Sequence, residues 1–289
     1  MNLSEWEQAG QYFASTEGRL FYRVAGEGEP LLLLHGFPTS SWDFHKVWPT
    51  LAQRYQLITF DKLGFGFSDK PVDGDYRIDA HLQRIWALLL HLGVRQVCLL
   101  AHDVGNTITQ AWLARQLEGD VPVTLTRVCL LNGGLFPETH RMRPLQRLLL
   151  SPLGKWVGRF SSARRFGGGL ADVFGPATQP SAEELADYWA LMSRQQGQYL
   201  LHKHIQYIRE RRQQRERWVG ALQNTVVPIS LIDGVLDPVS GAHMVARFRE
   251  LLPGRQVTEL ACGHFPQVEM PRQVLAALDQ HWAAWQPSL

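Results

Sequence analysis

The sequence predicts an α/β fold in which helices cover both faces of a mainly parallel β-sheet. Six short apolar runs lack the polar and apolar alternation of a half-exposed strand, which is typical of strands buried on both faces. They lie at residues 31–34, 55–60, 97–100, 128–131, 226–232 and 257–260, and two further β-rich runs, 11–14 and 19–24, occur near the N-terminus. Helical patterns at 78–92 and 107–117 separate several of these runs. Strands that alternate with helices in this way form parallel sheets.

Length, charge and composition narrow the class of protein. The chain has 289 residues, enough for one large core plus an insertion. Its net charge of +2 is too small to indicate a polyanionic partner, so we expect a small-molecule substrate and no nucleic acid. The N-terminus lacks the basic start and apolar run of a signal peptide, and no apolar stretch reaches membrane-spanning length. These features predict a cytoplasmic protein with no clear membrane segment.

The alternation of strands and helices stops between residues 133 and 224. This stretch is rich in Arg, Gln, Leu and Trp and is broken by several prolines. We interpret it as a helical lid (133–224) inserted between two parts of a core, 1–132 and 225–289. Three successive glycines, 167–169, permit a bend, and a flexible loop and a functional hinge are equally compatible with them. The apolar stretch 148–156 either contacts a membrane surface or, more simply, lines a pocket under the lid.

One five-residue segment has the pattern of a nucleophile elbow, a tight turn between a strand and a helix. In Ala101-His102-Asp103-Val104-Gly105, small residues lie two places on either side of Asp103. Such a turn has no room for large side chains at Ala101 and Gly105, and it lifts the central side chain to the helix N-terminus, where amides face negative charge. The segment therefore predicts Asp103 as an exposed, ionised nucleophile. An ordinary helix N-cap is the alternative, and this pattern alone leaves it equally open.

A second loop supplies the amides that such a site needs. The segment His35-Gly36-Phe37-Pro38 follows a predicted strand and turns sharply. This turn can aim the Phe37 amide at the point that the Val104 amide faces, and two such donors form an oxyanion hole.

Acidic residues and a histidine follow the last two predicted strands. Asp233 and Asp237 come after the run 226–232, and either can serve as the acid. His264 comes after the final strand. The chain order of nucleophile, acid and histidine is that of the α/β-hydrolase fold, and three such elements in order decide against an N-cap role for Asp103.

These motifs resemble the epoxide hydrolase and haloalkane dehalogenase branch of the α/β-hydrolase superfamily. The resemblance covers nearly the whole chain and implies Asp103 as nucleophile, His264 as base and Asp237, rather than Asp233, as acid. Its motifs are His35-Gly36-Phe37-Pro38, Asp61-x-x-Gly64-x-Gly66-x-Ser68, the elbow, and Gly263-His264-Phe265-Pro266-Gln267. Further segments resemble the mesoderm-specific transcript group: Asn132-Gly133-Gly134-Leu135-Phe136-Pro137-Glu138-Thr139-His140-Arg141, Val173-Phe174-Gly175-Pro176, Trp218-Val219-Gly220-Ala221-Leu222 and Leu236-Asp237-Pro238-Val239.

The chain departs from that branch where the leaving group is handled. Haloalkane dehalogenases usually hold the halide with a Trp after the nucleophile and often an Asn in the His-Gly-x-Pro turn, but these positions are Val104 and Phe37 here. Epoxide hydrolases usually supply two lid tyrosines, one in an Asn-Trp-Tyr stretch where this chain has Gln223-Asn224-Thr225. Another tyrosine must then donate the proton. The candidates, which we also assign to substrate binding, are Tyr207, tested first, and then Tyr188 and Tyr199. For each of these three, packing is the alternative role.

The predicted chemistry follows from the carboxylate nucleophile. Such a group attacks an electrophilic sp³ carbon and forms an alkyl ester, which water activated by His264 then hydrolyses. Since the nucleophile, base and stabilising dipoles are all protein groups, no metal or organic cofactor is expected. The leading hypothesis is hydrolysis of a small apolar epoxide. A haloalkane dehalogenase-like hydrolase and a non-catalytic small-molecule receptor on the same fold are the alternatives.

Overall fold

An eight-stranded sheet forms the centre of the fold in the computed structural model, which describes residues 1–283. The strands are β1 (Gln11–Ser15), β2 (Gly18–Ala25), β3 (Glu29–Leu34), β4 (Tyr55–Phe60), β5 (Gln96–Ala101), β6 (Thr124–Leu130), β7 (Ile229–Gly234) and β8 (Gln256–Leu260). Their order across the sheet is β1-β2-β4-β3-β5-β6-β7-β8. β2 pairs antiparallel with β1 and β4, and the pairings from β4 through β8 are parallel. The predicted α/β class is therefore confirmed.

Each predicted run overlaps a strand of the sheet, but β6 begins at Thr124, four residues before its predicted run, and β7 begins after the start of its run. The sequence run begins at residue 226, whereas the strand begins at Ile229. Val226 is 92% exposed, and Pro228 has no N–H to donate to a neighbouring strand. Pro228 contributes to the pairing with β6 only through its carbonyl, which accepts a hydrogen bond from the Val128 amide.

The first four helices are α1 (Leu3–Gln8), α2 (Trp48–Leu51), α3 (Ile78–His91) and α4 (Val104–Leu117). Apolar side chains that alternate along the buried strands enter two separate cores. Leu32 and Leu34 of β3 pack into the core that includes α3 and α4, whereas Leu31 and Leu33 pack into the core that contains Trp6 of α1. Both faces of the sheet are thus covered, which explains why these strands are apolar throughout.

Between β6 and β7 the described structure is helical. The helices are α5 (Pro144–Leu150), α6 (Gly154–Val157), α7 (Ala163–Ala171), α8 (Ala182–Ser193), α9 (Leu201–His204), α10 (Tyr207–Gln213) and α11 (Arg215–Asn224), with 3₁₀ turns at Gly158–Phe160 and Arg194–Leu200. The last helix, α11, packs along α4 on the flank of the sheet. The others form a layer near the carboxyl ends of the strands, where α/β sheets place their ligands.

The three glycines at 167–169 do not bend the chain, so the expectation of a bend or hinge there is wrong. They lie inside α7. The helix is capped by Ser162, whose hydroxyl accepts a hydrogen bond from the Arg165 amide, and α7 packs against α8, where a Cβ added to Gly167 would lie 3.6 Å from Leu185. A capped start and packing against α8 offset the low helix propensity of glycine.

Three helices complete the chain as described: α12 (Ala242–Leu251), α13 (Pro266–Glu269) and α14 (Pro271–Ala283). Phe248 of α12 joins the core beside α4, and Leu278 of α14 joins the opposite core. Over residues 1–283, no helix combines the length and apolar character needed to cross a bilayer.

Candidate active site

Asp103 occupies a strained turn between β5 and α4. Its backbone angles, φ 50° and ψ −111°, are unusual for a residue with a side chain. The turn fits because its neighbours are small: a Cβ added to Gly105 would lie 2.5 Å from the Leu34 carbonyl oxygen, and one added to Gly133 would lie 2.8 Å from the Asp103 Cα. The Asp103 side chain makes no capping hydrogen bond to α4, although the residue precedes the helix. The N-cap alternative therefore does not describe this side chain.

The Asp103 carboxylate is held by the loop that follows β3. The Phe37 amide donates a hydrogen bond to Asp103 Oδ2 at 2.9 Å. Gly36 allows this approach, because a Cβ at that position would lie 2.8 Å from the Asp103 Cβ. Val104 is the first residue of α4, so its amide belongs to the positive end of the helix. Of the two amides predicted from the sequence, that of Phe37 contacts the carboxylate, and that of Val104 lies at the helix start next to Asp103 in the chain.

His264 pairs with Asp237 and not with Asp233. The His264 Nδ1 lies 2.7 Å from Asp237 Oδ2. Burial opposes a charged imidazole, but the charge and hydrogen bond of Asp237, together with the charge of Asp103, raise the pKa of His264 to about 9. Burial likewise opposes the Asp237 carboxylate, yet His264, Ser240 and the Val239 amide lower the pKa of Asp237 to about 2.

Asp233 is chemically different from Asp237, although the two lie only four positions apart. It is buried on β7, and neither of its side-chain oxygens has a hydrogen-bond partner among the described residues. Burial, reinforced by the nearby charge of Asp237, raises the pKa of Asp233 well above its ordinary value. Asp233 therefore resists ionisation and is less suited than Asp237 to holding an imidazolium.

Sequence reasoning missed two residues that hold the acid in place. Asn132, at the end of β6, accepts a hydrogen bond from the Gly234 amide at 2.6 Å and donates to Asp237 Oδ2 at 3.2 Å. Ser240 donates its hydroxyl to the same Asp237 oxygen at 2.6 Å. Asn132 begins one of the segments that resemble the mesoderm-specific transcript group. Its role depends on a contact between the end of β6 and the loop after β7, and the spacing of residues in the sequence does not predict that contact.

Glu269 was also missed, and it organises the histidine loop. Its carboxylate accepts hydrogen bonds from the Gly263 and Phe265 amides at 2.8 and 2.9 Å, one on each side of His264. It also accepts from the Gly175 amide at 2.8 Å, so one side chain joins the histidine loop to the segment between α7 and α8. The His264 amide donates to the Val173 carbonyl at 2.8 Å across the same contact. Glu269 lies outside the motif at 263–267, and a single Glu at this position does not by itself indicate a functional role.

A cavity of about 350 Å³, called here the central cavity, exposes Asp103 and His264 to a small molecule. Its wall is mostly apolar, with contributions from the helical layer and from the core. The apolar wall includes Phe37, Leu149, Phe166, Leu170, Val173 and Phe265. Asp103 is only 5% exposed, so the expectation of an exposed side chain is wrong: the helical layer covers the elbow, and the cavity reaches a largely desolvated carboxylate. This arrangement suits an apolar electrophile with one polar atom.

The three candidate tyrosines lie at different depths, and none belongs to the wall of the central cavity in the described chain. Tyr207 is buried with its ring 6.1 Å from that of Phe37, and burial together with the charge of Asp103 raises its pKa. Tyr188 is buried 6.2 Å from the Phe265 ring, and burial raises its pKa as well. Tyr199 is 39% exposed and lies beside Lys155 on the outer surface.

A buried arginine and a half-buried histidine lie near Asp103 and were not predicted. The Arg211 guanidinium donates to Thr107 Oγ1 at 2.6 and 3.0 Å and lies 5.1 Å from the Tyr207 ring centre. Burial lowers the pKa of Arg211, and Asp103 opposes that effect. Burial, with help from the Arg211 charge, lowers the pKa of His140 to about 4. Gly134 leaves room for both, because a Cβ there would overlap Arg211 and lie 2.7 Å from His140 Nδ1.

An elbow aspartate after β5, an acid after β7 and a histidine after β8 define the α/β-hydrolase class. The chain belongs to the α/β-hydrolase family, since residues 29–271 match the family model described as alpha/beta hydrolase fold. The mesoderm-specific transcript homolog protein of Homo sapiens is 41% identical over 95% of this chain and 86% of that protein. Haloalkane dehalogenase 2 of Mycobacterium bovis is 28% identical over 93% of each.

Solved structures agree on the fold. The structure titled epoxide hydrolase CorEH without ligand superimposes with a TM-score of 0.78 at 21% identity, covering 96% of this chain and 99% of that chain. The predicted resemblance to this branch and to the mesoderm-specific transcript group is confirmed by these relatives.

Proposed function

We propose that the protein is a hydrolase that forms a covalent alkyl ester on Asp103, and that its substrate is a small apolar epoxide. The observation that supports this proposal is the position of the Asp103 carboxylate at the elbow. It lines a mostly apolar cavity and accepts a hydrogen bond from the Phe37 amide at 2.9 Å. We further propose that helices α5 to α10 act as a lid, because Leu149, Phe166 and Leu170 of this layer form part of the cavity wall.

In the first step, an Asp103 oxygen attacks a ring carbon of the epoxide and the ring C–O bond breaks. The new alkoxide then needs a proton. Of the three tyrosines, we assign this donation to Tyr207, because it packs against Phe37 beside the nucleophile. Its raised pKa keeps the phenol protonated at neutral pH, as a donor requires.

In the second step, water attacks the Asp103 ester carbon while His264 takes the proton from that water. The Phe37 and Val104 amides stabilise the oxyanion; loss of one such donor typically costs about 3 kcal/mol of barrier. The ester C–O bond then breaks, the departing diol oxygen takes the second proton of the attacking water, and Asp103 regains a carboxylate that carries one oxygen from water. The proton held by His264 returns to the Tyr207 phenolate, which restores both residues for the next turnover. Ester formation removes the Asp103 charge that helps to raise the pKa of His264. The histidine therefore becomes easier to deprotonate when it must act as a base.

Trapping the ester tests the proposal. With His264→Gln and a reactive epoxide, mass spectrometry should find an adduct on the peptide that contains Asp103, because alkylation is spared and water is not activated. Asp103→Ala should show no adduct. In a single turnover of the wild-type protein in ¹⁸O-water, the label should enter Asp103 first. Label that enters the diol directly, with Asp103 unlabelled, would refute the nucleophile assignment.

A substrate panel separates epoxide opening from dehalogenation. The presence of Val104 and Phe37, in place of the halide-binding residues usual in dehalogenases, favours epoxides. We expect diol formation from small epoxides and no halide release from matched chloro- and bromoalkanes. Halide release at equal or higher rates would instead assign the site to organohalides. Ligand binding with no turnover in the panel, unaffected by Asp103→Ala, would favour a receptor.

A further inference from the structure

An exposed apolar face lies on the outside of the helical layer. Five large apolar side chains within sixteen residues are each between 41% and 67% exposed: Leu145, Leu148, Leu153, Trp156 and Phe160. Their backbone belongs to α5, α6 and the adjoining 3₁₀ turn, all of them short helical pieces. We call these five residues the apolar face. A contiguous exposed patch of this kind usually contacts another surface.

The same stretch is the most basic part of the chain. Residues 141–171 contain seven Lys and Arg and no Asp or Glu. The whole chain has 29 basic and 27 acidic residues, so the remainder has 22 and 27, a negative balance. Arg147, Lys155, Arg159 and Arg164 of this stretch are exposed. Lys155 and Arg159 lie 5.5 and 4.5 Å from the Trp156 ring, which places cations directly against the apolar face.

The apolar face lines a second cavity, called here the outer cavity. It has a volume of about 460 Å³, and Leu148, Leu153, Trp156 and Phe160 form much of its wall. Leu145, Arg165 and Phe166 line both this outer cavity and the central cavity. The apolar face therefore lines an apolar space. Leu145, Arg165 and Phe166 lie between this space and the central cavity that reaches Asp103.

We propose that the apolar face and its basic residues dock onto the surface of an anionic lipid bilayer. Apolar side chains enter the interface while long basic side chains reach the headgroups, the arrangement used by peripheral membrane helices. Trp156 between two cations has the amphipathic character that suits this depth. Docking would place the outer cavity against the lipid, so an apolar substrate dissolved there could enter toward Asp103. The entry route rests on the proposed function, whereas docking does not.

A bilayer explains both features of the face together. A soluble polyanion would need the basic residues but not the five apolar side chains beside them. A protein partner remains a possible outcome of the test, since it too could cover an apolar face.

Vesicle sedimentation tests the docking. Vesicles of phosphatidylcholine with about 30% phosphatidylserine should pellet the wild-type protein at low salt, and raising the salt should release it, because charges are screened. Pure phosphatidylcholine should bind at least about tenfold less, in line with the gain expected from several basic residues at an anionic surface. No substrate is needed, so the result is independent of the Asp103 adduct experiment.

Two matched pairs of variants identify the surface. Leu153→Ser with Phe160→Ser should lower the partition coefficient at least about tenfold, since two large apolar side chains leave the interface, whereas Val72→Ser with Val226→Ser, also exposed, should not change it. Arg147→Gln with Arg164→Gln should weaken binding, whereas Arg95→Gln with Arg255→Gln should not, because these residues directly precede β5 and β8 at the amino ends of the strands, away from the helical layer. Circular dichroism confirms that each variant is folded.

Wild-type protein that stays in solution with anionic vesicles would overturn the proposal and leave a protein partner as the occupant. Binding that responds to the arginine pair but not to the leucine and phenylalanine pair, and that heparin fully competes, would assign the face to soluble polyanions instead. Equal losses in the test and control variants would show that the apolar face is not the docking surface.

Discussion

Replacing Asp237 with Asn tests the assignment of the acid, and the structure gives the size of the effect. The pKa of His264 is about 9, against an ordinary value of 6.5. Since each pKa unit corresponds to about 1.4 kcal/mol, the surroundings favour the imidazolium by roughly 3 kcal/mol. The strongest favourable contribution comes from Asp237, at 2.7 Å. We expect Asp237→Asn to lose most of this energy and to slow hydrolysis of the Asp103 ester by about 10²-fold.

The assay must separate the two half-reactions. Rapid mixing with a chromogenic epoxide should show ester formation at nearly the wild-type rate, followed by slow release, with the adduct visible by mass spectrometry. Asp233→Asn is the matched control, because Asp233 is buried four positions away and burial raises its pKa. Equal slowing in both variants, or slowing of ester formation in Asp237→Asn, would refute the reasoning.

Stability should depend on pH through the same pair. A raised pKa for His264 contributes stability that is complete below pH 6.5 and is lost as pH rises through about 9. Asp237, with a pKa of about 2, stays ionised across that range. Thermal unfolding should therefore show a larger loss of Tm for Asp237→Asn at pH 6 than at pH 10, and an equal loss at both would argue against the pair.

Three further predictions concern the supporting structure. Glu269→Gln should lower the free energy of unfolding by about 2 kcal/mol in urea titrations, because amides on both sides of His264 lose a charged acceptor; the exposed Glu216→Gln should be neutral. Gly168→Ala should stabilise the protein by about 0.5–1 kcal/mol, because Gly168 is helical with nothing within 4 Å of an added Cβ, whereas Gly93→Ala, at φ 75°, should destabilise it. Exhaustive dialysis against EDTA should leave turnover unchanged, and restoration of lost activity by a divalent ion would contradict the protein-only mechanism.

The sequence predicted the sheet well because the signals for a buried parallel strand are local. Apolar runs such as 31–34 and 97–100 need no partner to be recognised, and both are strands. The run at 167–169 failed for the opposite reason. Glycine tolerates a bend, but whether it bends depends on the cap at Ser162 and the contact with Leu185, which lie outside the run.

The candidate site likewise contains residues that local patterns predict and residues that they do not. Asp103 and its elbow were predictable because the tight turn requires small residues two positions away on either side, so the whole pattern lies within five residues. The choice between Asp237 and Asp233 required a resemblance, since both follow the same strand. The 39% exposure of Tyr199 could not be predicted from the sequence, because it is set by packing among helices that no local pattern orders.

The missed residues show what the local motifs leave unspecified. Arg211 and His140 come from distant parts of the helical segment, and Gly134 lets them pack together near Asp103. The Asp103 charge opposes the effect of burial on the pKa of Arg211, and it also raises the pKa of His264. Forming the ester removes that negative charge and leaves the positive charge of Arg211 near an uncharged group. The same event that consumes the nucleophile thus shifts His264 toward its neutral form, so the proposed order of steps follows from the placement of charges around one carboxylate.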